Sequence, residues 1–191
     1  MSLIRSFLAV LLDPEIKRDI YRAVRRLQKL PHDMKWVAEK NYHLTMKFFG
    51  DLSGEEIDQA IAILEPFAAG RSPFYLQCGE LTAFPNRRRP RLLCLPLHGE
   101  TDTLQDLWQK SEAGLARAGF PEEKRKSFHP HITLGRFHHE KNIVWKELID
   151  QAGPFPEQRF LVRELYLMSS KLTPQGPRYK ALAKFPFQAT G

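Results

Sequence analysis

His43-Leu44-Thr45-Met46 and His131-Ile132-Thr133-Leu134 are two copies of one pattern, His-x-Thr-x with an apolar residue at each x. In an extended strand successive side chains point to opposite faces, so His43 and Thr45 share one face while Leu44 and Met46 share the other. The same parity joins His131 to Thr133 and turns Ile132 and Leu134 inward. Each strand thereby anchors itself in a core and offers an imidazole and a hydroxyl outward. Seven His and seven Thr in 191 residues lead chance to expect about 0.26 His-x-Thr triplets, so two copies with matching apolar positions are informative.

The surrounding sequence repeats in step with the two copies. Leu3 to Leu12 reads as a buried strand, and Pro14 to Leu30 as a helix with Ile16, Ile20, Val24 and Leu27 on one face. His43 to Phe49 is a strand, and Ser53-x-x-Glu56 is a capping box opening a helix that turns Ile57, Ala60, Ile61, Leu64 and Phe67 inward. Phe74 to Phe84 is a strand. The second pass runs Leu92 to Leu97 (strand), Thr103 to Ala118 (helix), His131 to Phe137 (strand), Asn142 to Gln151 (helix) and Phe160 to Met168 (strand), and Tyr179 to Phe187 closes the chain as a strand. The expected fold is a single α+β domain over 1–191, with repeat halves at roughly 1–84 and 91–187. It has two pseudo-symmetric lobes, each an antiparallel sheet flanked by helices.

Composition narrows the functional classes. A chain that is 42% hydrophobic and 27% charged is globular, and 29 Lys+Arg against 22 Asp+Glu gives a net charge of +7, which suits an anionic partner. No apolar stretch approaches the ~20 residues of a membrane helix. Arg5 and Asp13-Pro14-Glu15 spoil the N-terminal run as a signal segment. Cys78 and Cys94 are too few for a disulfide framework or a four-cysteine zinc site and read as reduced core thiols of a cytoplasmic protein.

Two histidines facing each other across a cleft make an acid and base pair, because imidazole titrates near ~6.5 and can be held neutral or charged at neutral pH. In-line displacement at phosphorus needs those two functions on opposite sides, and Thr45 and Thr133 can hydrogen-bond the non-bridging oxygens. The scheme requires no metal and no cofactor. His129, His138 and His139 crowd the second motif but lack a metal-ligand spacing. Arg136 is a candidate phosphate clamp. Strict parity places it with Ile132 and Leu134, and a bulge at Gly135 would re-aim it; clamp and surface arginine both stay open. Lys47 has the parity of His43 and Thr45. Arg87, Arg88, Arg89 and Arg91, with Lys124, Arg125 and Lys126, could grip an RNA backbone or be solvated loop charge. Tyr42 and Phe128 flank the motifs as candidates for base stacking or for core packing.

Asn41-Tyr42-His43-Leu44-Thr45-Met46-Lys47-Phe48-Phe49-Gly50 and Phe128-His129-Pro130-His131-Ile132-Thr133-Leu134-Gly135-Arg136 resemble the signature strands of the 2H phosphoesterases, in particular the RNA 2′,3′-cyclic phosphodiesterases, also called 2′–5′ RNA ligases. Phe7-Leu8-Ala9, Phe84-Pro85 with Arg89-Pro90-Arg91, and Leu172 to Tyr179 extend the likeness. Cys94, Pro96 and Met168 depart from it, where an aromatic, a glycine and a basic residue are expected. The resemblance implies a bilobal fold with the active-site cleft between the lobes, and hydrolysis of an RNA-terminal 2′,3′-cyclic phosphate to a 2′-phosphate. It also implies that His43 is the general acid, His131 the general base, and Thr45, Thr133 and Arg136 the phosphate-binding groups. The partners expected are RNA ends or cyclic nucleotide phosphates, with no protein partner and a monomeric chain. Two other readings stand beside this one: ligation through a 2′–5′ linkage or opening of a small cyclic nucleotide at the same site, and a non-catalytic RNA-binding module.

Overall fold

Ile4–Leu11 forms the first strand, β1, and is buried along most of its length because both of its faces are covered. Leu8 and Val10 enter the main core, whereas Phe7 and Ala9 lie under Met168, Tyr166 and Tyr179 on the other side. This explains the near-continuous apolar run in place of an alternating one. The structure is a computed structural model describing residues 3–29, 34–123, 127–138, 145–153, 155 and 158–188. After β1 come α1 (Pro14–Leu27), β2 (Met34–Trp36), a short 3-10 turn (Glu39–Asn41), β3 (His43–Leu52), α2 (Gly54–Ala69), β4 (Phe74–Cys78) and β5 (Thr82–Phe84). Then follow β6 (Leu92–Gly99), α3 (Thr101–Arg117), β7 (His131–Phe137), α4 (Trp145–Ala152), β8 (Arg159–Val162), β9 (Glu164–Lys171) and β10 (Arg178–Pro186).

Local chemistry places the helices. Pro14 opens α1, and Ile16, Ile20, Ala23, Val24 and Leu27 form its buried stripe. The capping box starts α2: the Glu56 amide donates to Ser53 Oγ at 3.2 Å, and the Ser53 amide to Glu56 Oε2 at 2.7 Å. Helix α2 packs against α3 and β10, and α1 against α4. Fully buried leucines such as Leu64, Leu104 and Leu107 each contribute about 1.5–3 kcal/mol of transfer free energy.

The strands run in the order β10-β9-β1-β3-β7-β6-β4-β8, with β2 on β7 and β5 on β6, and these pairings are antiparallel. The α+β, two-lobed expectation holds: β10-β9-β1-β3 makes one lobe, β7-β6-β4-β8 the other, and Leu44 opposite Ile132 joins them at the centre. Sequence halves and lobes do not coincide, however. The first half contributes β2, β4 and β5 to the second lobe, and the second half contributes β9 and β10 to the first.

Three strand expectations change. Phe74 to Phe84 divides into β4 and β5, which pair with different stretches of β6. Phe160 to Met168 divides at Arg163 because β8 pairs with β4 in one lobe and β9 with β1 in the other. Strand β2 was not foreseen; three residues are too few to show a period. Leu30 and residues 142–144 of the expected helices lie outside the described residues. Among the described residues no helix is long and apolar enough to cross a membrane.

Candidate active site

The two His-x-Thr strands are neighbours. With Leu44 opposite Ile132 in antiparallel register, the His43–Thr45 face of β3 adjoins the His131–Thr133 face of β7. Leu44, Met46, Ile132 and Leu134 are fully buried beneath, and the two histidines and two threonines are half-buried above. Both imidazoles are held the same way. His43 Nδ1 lies 2.7 Å from the Asn41 carbonyl and His131 Nδ1 lies 2.7 Å from the His129 carbonyl. A carbonyl only accepts, so Nδ1 carries the hydrogen in each ring and Nε2 carries the titratable lone pair. Thr45 Oγ1 sits 2.9 Å from His43 Nε2, positioned to donate to it.

Aromatic rings fix each imidazole. Phe7 lies 5.0 Å from His43, and Tyr179 meets it edge-on at 5.5 Å. Phe84 stacks parallel on His131 at 6.1 Å. Burial lowers the His43 pKa below the usual histidine value, and the nearby charges of Lys17 and His131 push the same way. The Asn41 carbonyl partly opposes them.

A cleft of about 800 Å³ opens over this face, lined by His43, Thr45, Thr133 and Arg136. Its other charged lining residues are Arg5, Lys35, Lys40 and Arg178, with no Asp or Glu among the described lining. Low-dielectric walls bearing one sign of charge concentrate an oppositely charged ligand.

Two bulges decide what else faces the cleft. Leu93 pairs with Gly135 and Cys94 with Thr133, so β7 carries an extra residue at Leu134. That residue returns Arg136 to the face of Thr133, on the exposed cleft side. Gly135 serves the same region, since a Cβ there would meet Met34 Sδ at 2.7 Å and Trp36 Cε3 at 3.4 Å. On β3, Leu8 pairs with Lys47 and Ala9 with Thr45, leaving Met46 extra. The expected parity of Lys47 is thereby reversed. Its side chain is 4% exposed and donates to Glu112 Oε2 at 2.8 Å and to the Pro121 carbonyl at 2.9 Å. Phe48 takes the cleft side instead, 46% exposed, with the Arg5 guanidinium 4.6 Å over its ring.

Other expected contributors lie elsewhere. Arg87 stacks over Trp145 at 5.0 Å, and none of Arg87, Arg88, Arg89 and Arg91 lines the cleft. Lys124, Arg125, Lys126 and His139 lie outside the described residues. Tyr42 is fully buried and Phe128 stacks on Trp108 at 5.2 Å, so both pack in the interior. Phe48 and Trp36 are the aromatic cleft residues that local parity and spacing missed. Cys94 and Cys78 are buried thiols with pKa values pushed up by burial to about 11 and about 12. Of the departures from the family pattern, Pro96 pairs with His131 on the adjoining strand, and Met168 packs on Phe7 and Ala9. Among the described residues no group of three or more His, Cys, Asp or Glu is arranged to hold a metal ion.

Comparison with known proteins finds the same duplication of pattern. The family model described as LigT like phosphoesterase matches residues 10–94 and again 95–179, one match per His-x-Thr motif. An RNA 2′,3′-cyclic phosphodiesterase of Thermotoga maritima is 30% identical over 184 residues, covering 96% of each chain. One of Aeropyrum pernix is 33% identical over 160 residues, 83% of this chain and 89% of its own. The crystal structure of E. coli LigT complexed with 3′-AMP superposes with a TM-score of 0.80 at 25% identity, over 97% of this chain and 99% of that one. With the family pattern matched twice and a relative aligned along nearly its whole length, this chain belongs to the LigT-like phosphoesterases of the 2H superfamily.

Proposed function

We propose that the protein hydrolyses the 2′,3′-cyclic phosphate at an RNA end to a 2′-phosphate, by two-histidine acid–base catalysis without a metal. The observation that carries this reading is the pair of His-x-Thr strands set side by side, each imidazole locked through Nδ1, with His43, Thr45, Thr133 and Arg136 lining a cleft whose charged lining is cationic and His131 beside it on the adjoining strand. Family membership and the names of its relatives support the same substrate class.

The steps follow from the groups present. His131 Nε2 takes a proton from water as the water oxygen bonds to phosphorus. The P–O3′ bond breaks on the opposite side, and His43 gives its proton to the departing O3′. Thr45 and Thr133 hydrogen-bond the non-bridging oxygens, and Arg136 opposes their charge. His43 is biased toward its neutral form by burial in the unliganded protein. A phosphodiester anion beside it favours imidazolium, so binding of the substrate loads the acid. The product then leaves with His131 protonated and His43 neutral, and solvent resets both. The reading also places the protein in the cytoplasm, where its buried thiols Cys78 and Cys94 stay reduced.

The test is a short RNA ending in a 2′,3′-cyclic phosphate, incubated with the protein and a chelator, with the end group of the product identified. Turnover to a 2′-phosphate is expected. His43→Ala and His131→Ala are each expected to lower kcat by about 10²–10⁴-fold. Absence of turnover, or turnover indifferent to both substitutions, refutes the assignment.

A further inference from the structure

A second groove, of about 750 Å³, lies against the first, and Trp36, Val37, Ala38 and Lys40 line both. Residues 36–40 thus form a ridge with a groove on either side. The ridge is tied down along its length. Trp36 pairs with Gly135, and the Val37 amide donates to the Leu134 carbonyl at 2.9 Å. Lys17 Nζ donates to the Lys40 carbonyl at 3.2 Å, and the Asn41 amide to the Ala38 carbonyl at 2.8 Å. Beyond Asn41 the chain enters β3 and His43 directly.

The far wall of this groove is α1, which contributes Lys17, Arg18 and Tyr21. Lys17, Arg18 and Lys40 are set against one carboxylate, Glu39, and Trp36 and Tyr21 supply aromatic rings. A groove lined by cations and by the half-buried rings of Trp36 and Tyr21 matches the two needs of single-stranded nucleic acid: phosphates to neutralise and bases to stack. A mononucleotide at His43 and Arg136 has no group to send across the ridge. An RNA chain does.

We propose that this second groove binds the RNA strand leading up to the reactive end, with Trp36 at the crossing and Lys17, Arg18 and Lys40 along the backbone. The proposal rests on the phosphodiesterase reading and adds to it a substrate preference: an oligoribonucleotide over a mononucleoside cyclic phosphate. It places the strand along α1 and the 36–40 ridge. The arginines of 87–91, which line neither groove, are left out.

Arg18 is the residue to change, because it is exposed on a helix and lines the second groove alone. Steady-state rates are measured for wild type and Arg18→Ala, on a mononucleoside 2′,3′-cyclic phosphate and on a five-nucleotide RNA with the same end, across a series of salt concentrations. The oligomer is expected to show the higher kcat/KM and the steeper salt dependence. Arg18→Ala is expected to flatten the oligomer's log–log salt slope by about 0.7, the value of one lost phosphate contact on a single strand, and to leave the mononucleotide unchanged. Equal salt slopes for the two substrates in the wild type, or an equal loss on both in the variant, overturns the proposal. Binding of a labelled oligomer ending in a 2′-phosphate, read by fluorescence anisotropy, tests the groove independently of turnover. Weaker binding by Arg18→Ala supports the groove even if no substrate is hydrolysed, whereas unchanged binding, or equal competition by a polyglutamate peptide, counts against it. Failure of hydrolysis alone indicts the phosphodiesterase reading.

Discussion

Lys47→Met removes a cation from the strand that carries His43 and Thr45 while keeping most of the side chain's volume. Lys47 is 4% exposed and its partner Glu112 is 11% exposed, so neither charge has water to fall back on. With Lys47 gone, Glu112 keeps the Glu123 amide at 3.1 Å and the Pro121 carbonyl loses its side-chain donor. Breaking a buried pair from one side costs about 3–5 kcal/mol. The methionine's apolar burial offsets part of this, and we take about 3 kcal/mol as the net. At about 2–4 °C per kcal/mol for a chain of this size, the midpoint of thermal unfolding falls by about 6–12 °C. The double substitution Lys47→Met with Glu112→Leu removes both charges and should return to within about 1 kcal/mol of the parent, since an apolar pair of similar volume replaces a buried ion pair at little cost. Urea unfolding of the four proteins of the cycle measures the coupling directly, with at least about 2 kcal/mol expected. A single-variant loss below about 1 kcal/mol, or a double variant as unstable as the sum of its singles, refutes the view that this pair pins β3.

Three further outcomes are expected. Burial lowers the His43 pKa below the ordinary value near ~6.5, and as the general acid the ring must carry its proton, so the alkaline fall of kcat/KM should vanish in His43→Ala while the acid-side rise set by the base persists; an alkaline fall unchanged in the variant contradicts this. If His43 is the acid, a p-nitrophenyl ester, whose leaving group needs no proton, should be spared in His43→Ala relative to the RNA substrate; equal loss on both substrates argues otherwise. Arg136→Gln removes a charge-assisted contact worth about 1.5–3 kcal/mol, so kcat/KM should fall by about 10–150-fold with little change in unfolding midpoint, and an unaffected rate would return Arg136 to ordinary surface charge.

How much of this was legible beforehand depends on how local the cause is. Parity within two residues put His43 with Thr45 and His131 with Thr133, and the Ser53–Glu56 capping box is a contact within one turn. The parity of Lys47 failed because an extra residue at Met46 resets it, and only the register against β1 reveals that insertion. Arg136 differed because Gly135 is a visible mark of irregularity in its own strand, whereas Met46 leaves no such mark. The division of 160–168 at Arg163 was hidden for the opposite reason. Both segments are good strands, and what separates them is which distant neighbour each one pairs with. Trp36 belonged to a three-residue strand with no period to read, so the ridge it heads could be seen only once β7 lay beside it.

The exchange of strands between the repeats bears on how such a molecule could arise and be taken apart. A polypeptide holding one repeat would have β1 and β3 with no β9 to continue their sheet, and β4 with neither β6 nor β8 alongside. Completing either sheet takes a second copy, whose own surplus strands fill the vacancies. The proposed centre would then fall on the twofold axis between two identical chains, each lending one histidine and one threonine. In the present chain that dimer has in effect been sewn into a single thread, so severing it between the repeats should yield fragments that regain the centre only when mixed.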